Sequence, residues 1–240
     1  MTKIRIVSAT RESHAGFMQN TALGRSLTYY LQENKRYQSV DSFGYELSAL
    51  VFPHNTAGLS EVYNSAIDAA AADPAVLVFV HDDVHLCDYY FGEQLLQALA
   101  QFDVVGLVGN RRRLPRQKSW ASDGVSVFQN SENLSGAIAH GQGFPSPGLN
   151  ITIFGPPRRE VKLLDGLLMA AHSDTLLRTG LRFDPQFRFH FYDLDFCRQA
   201  ELRALRMGTW SIAVVHESAG DPNNQSWEDA YQAYLAKYGE

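Results

Sequence analysis

Val76–Leu86 reads VLVFVHDDVHL, and the reading of the fold turns on this stretch. Five consecutive apolar residues, Val76 to Val80, run straight into His81-Asp82-Asp83, with another histidine at His85. An unbroken run of β-branched and aromatic residues predicts a strand buried on both faces, as in a parallel sheet. Two adjacent carboxylates at its end repel each other unless positive charge lies beside them, and a divalent metal is the commonest such partner. Ligands of open α/β sheets bind beyond the carboxyl ends of the strands, where this cluster falls. A helix cap would account for one Asp in that place. HDDVH behind a buried strand points to a functional site.

Upstream, Ile4–Ala9 predicts a first buried strand, and Asn20–Asn34 a helix with Leu23, Leu27, Tyr30 and Leu31 on one face. Glu46–Phe52 predicts a second strand leaving through Pro53-His54-Asn55. Leu59, Val62, Tyr63, Ala66, Ile67 and Ala70 then mark a helix closed by Asp73-Pro74. Downstream come a helix carrying Leu95, Leu96 and Leu99, and a strand at Val104–Val108. The alternation predicts an α/β fold with a doubly wound, mostly parallel sheet. Between Asn110 and Glu160 the pattern breaks into Gly, Ser, Pro and Asn with scattered Trp120, Val125, Val127, Phe128, Ile151, Ile153 and Phe154. A loop this long calls for structure or function, and short antiparallel strands laid over one end of the sheet are expected.

Regular structure resumes at Val161. Ser173–Thr179 predicts a short helix with Ser173 as N-cap and Gly180 as its stop, followed by an Asp184-Pro185 turn. Asp193–Met207 predicts a longer helix ended by Gly208, and Trp210–Val215 a strand running into His216. A last helix from Ser226, with Asp229 as a weak capping box, carries Trp227, Tyr231, Tyr234 and Tyr238 as a packing face.

Composition bounds the rest. The 240 residues are 45% apolar and 20% charged, as in a globular domain, and the net charge of −5 gives no reason to expect nucleic-acid binding. Cys87 and Cys197 are too few for a disulfide framework and fit a reducing compartment. The amino-terminal apolar run is too short for a signal peptide, and no stretch approaches the ~20 apolar residues of a membrane span. A cytoplasmic protein is expected, with contact to a membrane surface left open.

Four polar clusters fall at predicted element ends: His81-Asp82-Asp83, Asp165-Gly166, Asp193-Leu194-Asp195 within FYDLDFCRQA, and His216. Their succession resembles glycosyltransferase family 2 on a GT-A fold. The resemblance covers about 3–9 and 46–216 and fades across 110–160. It implies one domain over 1–240, with a nucleotide-binding half at 1–109, an insertion or lid at 110–160 and an acceptor and catalytic half at 161–240. It implies Mn²⁺ or Mg²⁺ held by Asp83 and His216, with His81 standing where the family has its first acid. Asp193 falls on the acid usually taken as general base, with Tyr192 in place of the commoner Glu beside it. Thr10 and Glu12 lie where the family contacts the nucleotide base, with Asp41 a further candidate. Asn64 and Gly166 match family positions, and Asp82 either orients the ribose or bonds backbone.

The implied donor is a nucleotide-diphosphate sugar, a UDP-sugar first, and the acceptor a carbohydrate or other hydroxyl. Metal would neutralise the departing diphosphate, and one base acting in line would invert the anomeric centre. The helix dipole is expected to lower the basicity of Asp193, leaving it mainly to orient the hydroxyl. Arg111-Arg112-Arg113 are read as a solvated loop able to hold phosphate, Trp120 as packing or a sugar platform, and His85 as surface. Two alternatives stay open: a metal-dependent nucleotide-sugar hydrolase or nucleotidyl transferase using His81, Asp83, His85 and His216, and a non-catalytic binding domain of the same fold.

Overall fold

Val76–Val80 forms an interior strand of the larger sheet, and each of its residues is at most 1% exposed. The computed structural model describes residues 1–37, 44–122, 132–142, 148–218 and 224–239, without the side chains of 33–37. In chain order the elements are β1 (Thr2–Ala9), α1 (His14–Asn20), α2 (Ala22–Tyr37), β2 (Tyr45–Phe52), α3 (Leu59–Ala69), β3 (Val76–Val80), β4 (Val84–Leu86) and α4 (Phe91–Leu99). They continue with β5 (Val104–Gly106), β6 (Val108–Asn110), β7 (Leu134–His140), β8 (Asn150–Gly155), β9 (Glu160–Val161) and β10 (Leu163–Leu164). The last are β11 (Leu168–His172), α5 (Ser173–Thr179), α6 (Tyr192–Leu202), β12 (Met207–Thr209), β13 (Val214–His216) and α7 (Gln225–Tyr238).

One sheet runs β2-β1-β3-β11-β5-β12-β9. β1 is parallel to β2 and β3, and β12 to β5, whereas β11 is antiparallel to both its neighbours and β9 is antiparallel to β12. The sheet is therefore mixed rather than mostly parallel. The second sheet runs β10-β6-β7-β13-β4, with β8 paired to β7. The β7–β8 pair is antiparallel, as expected for the 110–160 segment. Val125, Val127 and Phe128 lie outside the described residues.

Strands cross between the two sheets, and the crossings correct the sequence reading. The expected strand 104–108 breaks at Leu107: β5 stays in the first sheet and β6 enters the second. β3 passes to β4 through His81-Asp82-Asp83, β9 to β10 through Lys162, and β12 to β13 through 210–213. Gly136, at φ +95°, lies at the bulge in the β7–β8 pairing, and a Cβ there would stand 2.0 Å from the Leu107 carbonyl oxygen.

Helix ends differ too. α6 stops at Leu202 rather than Met207, because the turn through Ala204 (φ 55°) frees 207–209 to pair with β5. Gly208, expected as a helix stop, is a strand residue lying against the Phe102 ring, 2.3 Å from where its Cβ would be. Trp210 precedes β13 instead of opening a strand, and its indole N–H donates to Gln94 at 3.0 Å. Ser173 is the first residue of α5, not its cap, and its hydroxyl accepts the Ala75 N–H at 3.0 Å. Gly180 does end that helix, at φ 64°. Asn224 caps α7 by accepting from the Trp227 N–H, and Asp229 takes the Gln225 amide instead of closing a box with Ser226. Helix α1, capped by Ser13, has too few residues for a periodic signal, and the sequence pattern predicts no element there.

Candidate active site

The site lies where β3 leaves the first sheet. The His81 N–H donates to the Leu167 carbonyl at 3.2 Å, so the 165–167 turn is held against the HDD turn. On the other side, β13 is antiparallel to β4 with His216 opposite Val84. That register brings the Glu217 N–H to the Asp83 carbonyl at 2.9 Å and His216 Nε2 to Asp83 Oδ2 at 3.3 Å. His140, at the parallel position on β7, puts its ring centroid 5.4 Å from that of His216.

His81, Asp83 and His216 each offer a ligating atom, and these atoms lie within 4.8 Å of one another. Asp83 Oδ1 is buried with no hydrogen-bond partner among the described residues. Such an atom is costly unless something fills its lone pairs. Burial works to raise the Asp83 pKa, but the His216 hydrogen bond and the neighbouring His81 and His216 rings outweigh it, so the carboxyl ionises more readily than usual. Burial holds His81 below its ordinary value and hence neutral, the form that ligates metal. A carboxylate with two imidazoles is a fitting donor set for a divalent ion, and the nitrogen ligands suit Mn²⁺ better than Mg²⁺.

The second half of the site hangs on α6. Phe191, before the helix, has φ 63°, an uncommon conformation for a bulky side chain. Trp227, Tyr231 and Tyr234 of α7 surround its ring at centroid distances of 5.3–5.5 Å. The turn it makes delivers Tyr192 and Asp193 to Gly166. Asp193 Oδ2 accepts the Gly166 N–H at 3.0 Å, and the Tyr192 hydroxyl donates to the Gly166 carbonyl at 2.8 Å. A Cβ at Gly166 would stand 2.3 Å from that hydroxyl, so only glycine fits.

Asp165 accepts from the Leu167 N–H at 2.8 Å and from the Trp120 indole. Burial first, and the Asp165 charge second, push Asp193 up to about 7. The lowering expected from the helix dipole is overridden. His81, Trp120, Asp165, Asp193, Phe189 and Trp227 line one open cleft of about 220 Å³, together with Lys118, His190 and the intervening backbone.

The other sequence candidates are distributed around this centre. Thr10 and Glu12 follow β1, where their carbonyls take the Asn55 and His54 N–H groups. The Thr10 hydroxyl bonds Asp82, whose carboxyl burial raises, so the ends of β1 and β3 are joined. Asn64 is not at the cluster: its amide donates to the Phe183 carbonyl at 2.7 Å and accepts its N–H at 3.0 Å, strapping α3 to that loop. Asp41 lies outside the described residues. Asp195 is fully buried and bonded to Lys237 and Tyr238, away from the cleft lining. Arg111, Arg112 and Lys162 line a separate open cleft of about 400 Å³ that shares no residue with the first. Sequence reasoning missed Phe189, His190 and His140, for which no local pattern exists, and took Trp227 for packing alone.

A family model described as a glycosyltransferase-like family matches residues 42–238. The chain belongs to that family, and its architecture is the GT-A fold. No curated protein matches it. Among solved structures it is similar to the catalytic domain of Drosophila beta1,4galactosyltransferase 7 in complex with xylobiose, at 7% identity and TM-score 0.49, over 97% of this chain and 80% of that one. It is also similar to A197 from STIV, at 10% identity and TM-score 0.48, over 94% and 98% of the two chains. S. aureus TarS 1-349 in complex with UDP is similar at 15% identity and TM-score 0.47, and this chain covers 90% of itself but 61% of TarS. Identities and scores this low carry no function across. Among the described residues, no helix is long and apolar enough to cross a membrane.

Proposed function

We propose that this protein is a metal-dependent glycosyltransferase that moves a sugar from a nucleotide-diphosphate donor to an acceptor hydroxyl with inversion. The observation that carries the reading is a single cleft lined both by His81 of the ligand triad and by Asp193. Asp83, His216 and His81 would hold Mn²⁺ or Mg²⁺, which supplies the positive charge that a departing diphosphate needs. Asp193, with a pKa of about 7, is poised to accept the proton of an acceptor hydroxyl near neutral pH. The Gly166 N–H fixes the carboxylate and Asp165 keeps it basic. Phe189, 55% exposed, offers an aromatic surface to an acceptor sugar, with Trp120 and Trp227 lining the same cleft. Thr10, Glu12 and Asp82 form the nucleotide side, and the 110–160 segment shapes the acceptor side.

The test is transfer from a panel of nucleotide sugars, UDP-sugars first, with Mn²⁺ and with or without acceptor sugars. Asp193→Asn should lower transfer by on the order of 10²–10⁴-fold while Mn²⁺ and donor affinity stay within a few-fold. Asp83→Ala should lose Mn²⁺-dependent donor binding first. Donor hydrolysis indifferent to every acceptor would replace transferase by hydrolase, and donor binding without turnover would leave a binding domain.

A further inference from the structure

Two positions depart from the family pattern, His81 in place of an acid and Tyr192 in place of Glu, and they touch. His81 Nε2 lies 2.7 Å from the Tyr192 hydroxyl, which donates to the Gly166 carbonyl at 2.8 Å. A phenol has one proton to give. With that proton directed at Gly166, only oxygen lone pairs face His81, so Nε2 must carry the ring proton. The imidazole lone pair is then on Nδ1. The oxygen is held in place: Tyr192 is 2% exposed, its ring packs against both Tyr63 and Phe183 at 5.9 Å from each, and the hydroxyl occupies the space a Gly166 side chain would need; because a carbonyl only accepts, both bonds form together only with this direction of donation.

We infer that Tyr192 is a positioning residue for the metal site, holding His81 in the tautomer whose Nδ1 is free to ligate and anchoring that choice on the Gly166 backbone. This rests on the reading of His81, Asp83 and His216 as metal ligands. A ligating imidazole whose other nitrogen donates to a fixed acceptor is held in orientation and made a better ligand. Gly166 also donates its N–H to Asp193, so one glycine supports both halves of the site.

Two measurements on the intact chain test this. In metal-free protein labelled with ¹⁵N-histidine, long-range ¹H–¹⁵N spectra should show neutral His81 with its proton on Nε2, the signal being assigned by its absence in His81→Gln. Tyr192→Phe keeps the ring and its packing, and should lose that fixed tautomer. Its Mn²⁺ affinity by calorimetry should fall roughly 10–100-fold, with its melting temperature near wild type. A proton on Nδ1 in the wild type, or unchanged Mn²⁺ affinity in Tyr192→Phe, overturns the inference. A wild type that binds no Mn²⁺ overturns it together with the metal reading. The metal-free spectrum tells the two failures apart, since it reads the Tyr192–His81 bond alone.

Discussion

Asp193 carries the strongest opposition between stability and chemistry in the molecule. Its carboxyl is pushed up to about 7, by burial and then by Asp165, while in an unfolded chain it ionises near about 4. Below pH ~4 it is protonated in both states and costs nothing. Between about 4 and 7 the unfolded chain releases the proton that the folded state retains, so rising pH favours unfolding, and above 7 the whole penalty is present. Asn at this position escapes it. Asp193→Asn should therefore melt close to wild type below pH 4 and progressively higher up to pH 7, then hold a constant advantage. The gain is on the order of 2 kcal/mol once partial exposure is allowed for. A melting difference that stays flat from pH 4 to 8 would mean that the carboxyl is not shifted, and its role as a base near neutrality would lose its footing.

At the scale of elements, α7 is what holds the entry to α6 in place. The aromatic face read from the sequence as packing is that, and its packing is against Phe191, whose left-handed conformation orients Tyr192 and Asp193. The contact is reinforced from inside α6: buried Asp195 takes Lys237 Nζ at 2.5 Å and the Tyr238 hydroxyl at 2.6 Å. Asp195 Oδ2 has no hydrogen-bond partner among the described residues, and burial raises the carboxyl despite the lysine. Lys237→Met should destabilise the chain by on the order of 2–3 kcal/mol in urea unfolding, less than a fully stranded charge would cost because the carboxyl can take up a proton instead. A change under about 0.5 kcal/mol would place the pair among ordinary surface salt bridges.

For the whole molecule, the informative feature is the seam at which strands pass from one sheet to the other. His81 and Asp83 lie on the β3–β4 crossing, and His216 ends β13 of the second sheet. An ion shared by the three would tie the sheets together, and its binding would stabilise by mass action, by about 2.7 kcal/mol at a hundredfold excess over Kd. Hydrogen exchange should report this locally. With saturating Mn²⁺, amides of 81–86 and 214–217 should slow most, while those of α3 and β2 change little, and Asp83→Ala should abolish the effect. Uniform slowing, or none, would count against a shared ion.

What the sequence determined by itself was whatever is written in short-range pattern. Val76–Val80, the α3 face and the Gly180 stop follow from apolar runs, helical periodicity and backbone preference, and each formed where expected. The residue types that carry the chemistry were equally visible, because His81-Asp82-Asp83, Asp193 and His216 all fall at element ends. Only the tertiary structure decided the rest. The break at Leu107, the early end of α6 and the antiparallel insertion of β11 depend on pairing with strands distant in sequence, and such pairing overrides local propensity. The meeting of His216 with Asp83 is a matter of β4–β13 register, and that of Tyr192 with His81 of two turns converging on Gly166. The basicity of Asp193 was misjudged for the same reason: a helix dipole is a local property readable from sequence, whereas desolvation and the neighbouring Asp165 charge exist only once the chain has closed around them.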